Sequence, residues 1–383
     1  MQISPEETSL ISIFSRIEDP RCDSDHRLHR LIDIIAITVC AVICRCETWD
    51  EISEFGEMKK TWFQKFLELP NGIPSHDTFR RVFMLLDPKE FNRCFCDWTQ
   101  SISLQLNGDI IPVDGKAVRG SFDKSLGKRA IHMVSAWSSL NGIVLSQEKV
   151  SDKSNEITAI PEVLKSLNIE GAVITLDAMG CQKDIASQII KQKGNYVMGL
   201  KGNHKGVNQR VEEVFKKGLE TNFMNMEYDY FQETSHGHGR SEERNYFLLK
   251  DVSFFKSSKE WSGLKSVGMV EAIINRDNKV TYERRYYLTS LKGTAERFGE
   301  CCRTHWQIEN NLHWTLDVNF SDDEDRKRTK NSATNFSMIK RAALNILKRD
   351  SSKGTMKTKR LRATLSEEYL ENLLFNSNLL KTL

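Results

Sequence analysis

The sequence predicts an α/β protein: a mixed sheet with helices on its faces, preceded by an all-helical segment and interrupted by a β-rich insertion. Three observations predict it. Apolar residues recur at three- and four-residue spacing over residues 8–107. At Asp109 the period changes, and three short strands rich in β-branched and aromatic residues follow in succession. Strands and helices then alternate, as they do where a sheet is covered by helices.

The helical part divides into segments 27–46, 50–67, 75–86 and 88–106. The turn "LPNGIPS" separates two of them, and Ser75 after Pro74 is the expected N-cap of "HDTFRRVFMLL". The strands are "DIIPVD", "IHMVSAWSS" and "GIVLSQEKV", the last two joined by Asn141-Gly142, a hairpin turn signal. A helix is expected over 156–167, a fourth strand in "GAVITLDAMG", a helix in "QKDIASQIIKQKG" and a fifth strand in "NYVMGLKGN". A further helix over 206–219 leads to two hairpins turning at 236–239 and 276–279. Helical spacing returns from Thr294 to Leu316 and from Ala333 to Lys348, and "YLENLLF" is a short docking helix. The organisation read from this is 1–107 helical, 108–205 and 291–349 the two parts of the sheet-and-helix core, 206–290 the insertion, and 350–383 a basic tail.

Composition narrows the function classes. The chain has 383 residues, 39% hydrophobic and 28% charged, as expected of a soluble globular protein of two or three domains. The net charge of +3 is unevenly spread. Residues 326–362 hold thirteen Lys or Arg against one acid, Asp350, a local charge of +12. That segment reads either as a solvated basic surface or as a phosphate-binding flank, with Lys348 and Arg349 as candidates. Arg80 and Arg81 read mainly as a solvated helix face. The nine cysteines include two C-x-C pairs, Cys44/Cys46 and Cys94/Cys96, spaced too closely for the usual zinc site; buried thiols in a reducing cytoplasm are expected. No signal peptide is visible, and the apolar run 31–44 is too short to span a bilayer.

Three carboxylates carry the chemistry. Asp114 ends the first strand and Asp177 the fourth. Either alone is an ordinary turn former. Strands one and four in this order can lie side by side, and ligands of open sheets gather at strand carboxyl ends. Two carboxylates brought together there call for a cation between them, and Mg²⁺ suits oxygen ligands. The third is Glu309 in "RTHWQIENNLHWTLDV". Helical geometry places His305, Trp306, Glu309, Leu312, His313 and Leu316 on one stripe, expected to face the sheet. A mononuclear site on His305, Glu309 and His313 is discounted, because the two histidines lie about 12 Å apart along the axis. The acidic run 317–325 lacks the glycine of a calcium loop.

"VDGKAVRGS", "LDAMGCQ" and "HWQIENNLHWTLDVNFSDD" together closely resemble the H-repeat-associated transposases, part of the DDE transposase superfamily. The likeness covers nearly the whole chain. It implies a ribonuclease H-like core with Asp114, Asp177 and Glu309 as the catalytic, metal-holding triad. It also implies two Mg²⁺ ions, with Mn²⁺ as a substitute, double-stranded DNA ends and target as partners, and work as a dimer in the bacterial cytoplasm at the nucleoid. "LKGNHKG" and "HGHGR" resemble family stretches near DNA, which makes Lys201, Asn203, His238 and Arg240 candidate contacts, beside Lys116 and Arg119 next to the first aspartate. Gly115 is expected to let backbone and substrate approach. The related Tyr-Arg-Glu-Lys signature is not followed: His305 and Leu316 stand where its Arg and Lys would be. Two alternatives stay open, a DNA-binding protein without catalysis and a nuclease without strand transfer.

Overall fold

The computed structural model describes residues 9–22, 27–123, 129–151, 154–237, 240–254, 256–276 and 279–375. Among them six helices precede the sheet: α1 (Leu10–Phe14), α2 (Leu31–Ile43), α3 (Trp49–Met58), α4 (Lys60–Phe63), α5 (His76–Leu85) and α6 (Pro88–Ile102). Local chemistry explains their starts. Thr48 and Glu51 form a reciprocal capping box on α3, and Asp87 caps α6 ahead of Pro88 at its first position. The apolar run is α2, a helix buried on every side.

The sheet begins with β1 (Ile110–Val118), β2 (Ile131–Ser138) and β3 (Ile143–Lys149). Gly142 adopts φ +67° in the hairpin between the last two, a conformation for which glycine pays little. Helix α7 (Glu156–Lys165) leads to β4 (Val173–Leu176), and α8 (Lys183–Lys191) leads to β5 (Asn195–Leu200). Helix α9 (Lys205–Glu220) precedes two hairpins, β6 (Tyr228–Gly237) with β7 (Arg240–Leu249), and β8 (Ser266–Arg276) with β9 (Lys279–Thr289). The strand order is β3-β2-β1-β4-β5-β9-β8-β7-β6. The β1/β4 and β4/β5 pairs are parallel and the rest antiparallel. The two hairpins thus continue the sheet through the β5/β9 pair.

Strand β1 differs from expectation in one respect that matters. It does not stop at Asp114. Pairing with β4 ends at Val113↔Leu176, but pairing with β2 runs on to Val118↔Ile131. Asp114 therefore sits where one neighbour of the strand ends and the other continues.

The C-terminal part is helical: α10 (Ala295–Ile308), a π-helical turn (Glu309–His313), α11 (Trp314–Phe320), α12 (Ser332–Arg349), α13 (Met356–Leu365) and α14 (Glu367–Phe375). Helix α12 is buried from Ser332 to Leu347 and packs against α2, α5, α6 and β3. Asn345 bonds both the N–H and the C=O of Val144 on β3, at 2.9 and 2.8 Å. One hydrophobic core therefore runs from Leu10 to Leu373 through the N-terminal helices, one face of the sheet and the C-terminal helices.

Four cations of the basic segment, Lys340, Arg341, Lys359 and Arg360, are drawn into this core. Arg360, 3% exposed, donates to the carbonyls of Val42 and Ile43 at the C-terminus of α2. Lys359 does the same for Leu347 and Asp350 at the end of α12. Cations there complement the negative end of the helix dipole. Among the described residues no helix is long and apolar enough to cross a membrane. Seven cysteines are buried, and burial pushes the Cys44 thiol up to about 12.

Candidate active site

The β1/β4 register assembles the first two carboxylates. Val113 and Leu176 are the last residues these two strands pair with each other, so Asp114 and Asp177 follow at the same level on adjacent parallel strands. Asp177 then makes the turn that follows. Its Oδ1 accepts from Met179 N at 2.9 Å and from Gly180 N at 3.1 Å. The turn-forming and site-forming readings of this residue therefore coexist. The loop is clamped from outside: Asn203 donates to Ala178 O at 2.5 Å, and His204 Nε2 lies 2.6 Å from Cys181 O.

Glu309 arrives on the long C-terminal helix, which is pinned on both sides of it. One turn earlier, His305 Nδ1 lies 3.0 Å from Thr175 Oγ1, two residues before Asp177. Four residues later, His313 Nδ1 lies 3.6 Å from Asp114 Oδ2. Glu309 opens the π-helical turn between these anchors, a distortion frequent at functional sites. The expected stripe is corrected accordingly. His305, Leu312 and Leu316 are buried, together with Ile308, but Trp306 and Glu309 are exposed. A carboxylate with no cation beside it stays hydrated, which burial against the sheet would prevent.

Electrostatics show how crowded Asp114 is. Burial, together with the negative charges of Glu156, Asp177 and Glu309, raises its carboxyl to about 7. His313 does not compensate: burial and nearby cations push its imidazole down to about 3, so it is neutral. Among the described residues, none of Asp114, Asp177 and Glu309 forms an ion pair with a lysine or arginine. The neighbouring Asp109 is the contrast. It is buried and accepts from Ser139 Oγ at 2.8 Å, Leu140 N at 2.9 Å and Ser138 Oγ. Asp109 is a satisfied structural acid, and Asp114 is not. Among the described residues no three His, Cys, Asp or Glu side chains are already gathered closely enough to hold an ion.

Two roles change. Lys116 does not reach outward: it is 8% exposed, and its Nζ lies 2.7 Å from Asp317 Oδ1 and 2.8 Å from Asp323 Oδ1. Pairing with the acidic run draws it inside. At Gly115 it is a side-chain pair that needs the space. A Cβ there would lie 2.4 Å from both Glu156 Oε1 and His132 Nε2, which pair at 2.7 Å. Nothing in the sequence pattern marks Glu156, the strongest charge acting on Asp114, because its proximity depends on the α7 packing.

The remaining candidates scatter. Arg119 is 82% exposed beside Asp323, and Lys201 is exposed. Lys348 and Arg349 are half-buried at the end of α12, where desolvation lowers both. Arg240 opens β7, and His238 lies outside the described residues.

Parallel strands delivering two aspartates to one level, with a glutamate on a pinned helix, make a candidate carboxylate site on a mixed α/β fold. The sequence identifies the family. Residues 106–346 match the "Transposase DDE domain" and residues 11–99 the "DDE_Tnp_1-associated" region. The chain belongs to the DDE transposase family. It is 41% identical over 372 residues to "Putative transposase YncI" of Escherichia coli O157:H7, covering 96% of this chain and 94% of the relative. It is 40% identical over 362 residues to "H repeat-associated putative transposase YhhI" of Escherichia coli K12, covering 92% and 94%. A cryo-EM structure of the piggyBac transposase synaptic complex with hairpin DNA aligns over 98% of this chain and 82% of that one, with a TM-score of 0.37 and 11% identity, too distant to carry an argument.

Proposed function

We propose that this protein is a DNA transposase that cleaves and joins insertion-sequence ends with Asp114, Asp177 and Glu309 as its metal-holding triad. One observation supports the reading: Asp114 and Asp177 follow the last residues paired between β1 and β4, the charges of Asp177 and Glu309 both act on Asp114, and among the described residues none of the three has a lysine or arginine partner. Oxygen donors with uncompensated negative charge suit a hard divalent ion such as Mg²⁺, or Mn²⁺ in its place. When bound, a pair of such ions activates an attacking water or 3′-hydroxyl and stabilises the leaving oxygen of an in-line displacement.

The chain's own residues supply the frame. Thr175 and His305 hold the glutamate helix against β4, and Asn203 and His204 hold the loop that carries Asp177. The order β3-β2-β1-β4-β5, with its central parallel strands, supports a ribonuclease H-like core. The β6–β9 hairpins are then the insertion between the second aspartate and the glutamate, and the N-terminal helices are candidates for reading the DNA end. Arg119 and Lys201, both exposed, are the candidate phosphate contacts beside the site.

The carboxylates are not drawn together without a cation, and that favours a second reading, a protein that binds DNA without cutting it. The inverted-repeat DNA flanking the coding region, supplied as a duplex with and without Mg²⁺, separates the two. Nicking and joined products that require Mg²⁺ and vanish in Asp114→Asn, with DNA affinity retained, support the transposase. Loss of binding and cleavage together in that variant argues against a metal role.

A further inference from the structure

Lys116 and Asp114 stand two residues apart on β1, so their side chains leave the same side of the strand. That side faces the long C-terminal helix. Asp114 meets His313 on it, and Lys116 meets Asp317 one turn further along, at 2.7 Å. With His305 on Thr175, the helix makes three successive polar contacts with β1 and β4, and Glu309 lies between the first two; Arg303 adds an ion pair with Glu233 at 3.0 Å, on β6 at the far edge of the sheet. Of the three, only the last is ionic and direct. The His313 contact, at 3.6 Å, is too long for a hydrogen bond.

The Lys116 ammonium is also well chosen to fix a distance. It is enclosed at 8% exposure and held by a second acid, Asp323, at 2.8 Å on the loop after α11. Behind it Lys340 pairs with Asp325 at 2.9 Å, and Arg341, fully buried, donates to Ser337 O at 3.2 Å. Buried charges paired in this way tolerate little displacement, because moving one leaves the others without compensation.

We propose that Lys116 is a positioning residue: its ion pair with Asp317 sets how far the helix bearing Glu309 stands from the strand bearing Asp114. The inference rests on the triad reading above and adds a residue to it. It also explains why a lysine follows the first aspartate by two positions without facing DNA.

The test counts Mn²⁺ bound to the full-length, DNA-free protein by electron paramagnetic resonance. Asp114→Asn serves as the reference for loss of the site. Asp317→Asn is expected to weaken Mn²⁺ binding about tenfold, the lower end for residues that orient metal ligands. Asp323→Asn removes an equal charge and an equally short partner of Lys116, but from the loop instead of the helix, and is expected to bind Mn²⁺ like the wild type. Asp317→Glu keeps the charge, and with it the fold, while moving the carboxylate by one methylene, and should fall between. Wild-type Mn²⁺ binding in both Asp317 variants, with binding lost in Asp114→Asn, overturns the proposal. Equal losses in the Asp317→Asn and Asp323→Asn variants also overturn it, since only charge would then matter. Unchanged binding in Asp114→Asn overturns the triad reading itself. In Lys116→Gln, which removes the charge, the slope of log DNA affinity against log salt should be unchanged; a slope flatter by about one unit would make Lys116 a phosphate contact instead.

Discussion

Asp114 and His313 face each other at 3.6 Å without neutralising each other. The carboxyl is raised to about 7 and the imidazole lowered to about 3, so from pH 4 to pH 6 both groups are uncharged. Above pH 7 Asp114 becomes an anion in a buried, already negative site.

The stability consequence has a definite sign. A carboxyl whose folded value lies above its ordinary 3.8 stabilises the fold while protonated in the folded state. That contribution declines as pH rises from about 4 to about 7 and is absent above. Asp114→Asn removes the ionisation. In metal-free buffer at pH 8 the variant is expected to be more stable than the wild type by up to about 4 kcal/mol, a ceiling set by the size of the shift. At pH 4 the two should agree closely. Urea unfolding at both pH values checks this, and equal stabilities at pH 8 would contradict a crowded Asp114.

Metal binding should follow the same proton. Mn²⁺ must displace it from Asp114, so affinity should rise between pH 6 and pH 8 with release of a proton. Calorimetric titration in buffers of different ionisation enthalpy measures that release.

Gly115→Ala inserts a methyl where Glu156 and His132 already meet. The two side chains must give way, at an expected loss of about 1–3 kcal/mol typical of overpacking. Adding Glu156→Ala vacates the space, and the double variant should recover part of the loss instead of summing the two effects. Strict additivity in chemical denaturation would exclude the clash.

Salt dependence of DNA binding should divide the cations by exposure. Arg119→Ala should flatten the slope of log affinity against log salt by about 0.9. Lys348→Ala, at a half-buried helix end, should leave the slope unchanged.

Arg360→Ala should damage the fold without touching DNA binding directly. Its guanidinium bonds two buried carbonyls of α2 and stacks 4.3 Å from the Phe320 ring. Leaving those carbonyls unpaired is expected to cost about 2–4 kcal/mol, visible as a lower urea midpoint.

Much of this was legible in the sequence because it depends on local pattern. The Asn141-Gly142 hairpin and the start of α5 just after Ser75 arise from neighbouring residues; the turns expected at 236–239 and 276–279 include residues outside those described. Asp114 and Asp177 were legible as a pair because strands one and four in this order are natural neighbours. What failed depended on distant partners. Glu309 was expected to share a buried stripe with His305 and Trp306, but the buried stripe runs through Cys301, His305, Ile308 and Leu312 and leaves Trp306 and Glu309 outside it. Lys116 read as a surface cation because Asp317 and Asp323 lie some two hundred residues away. The basic segment read as one surface, yet Lys340, Arg341, Lys359 and Arg360 are buried among acids and helix carbonyls.

The shared interior of α2, α12 and β3 has an evolutionary corollary. A reader of DNA ends that hung on a tether could be swapped between elements like a cassette. Here the leading helices cannot be exchanged without stripping the backing from the sheet. If those helices read the DNA end, as proposed, new end specificities would have to arise by substitutions on their outer surface.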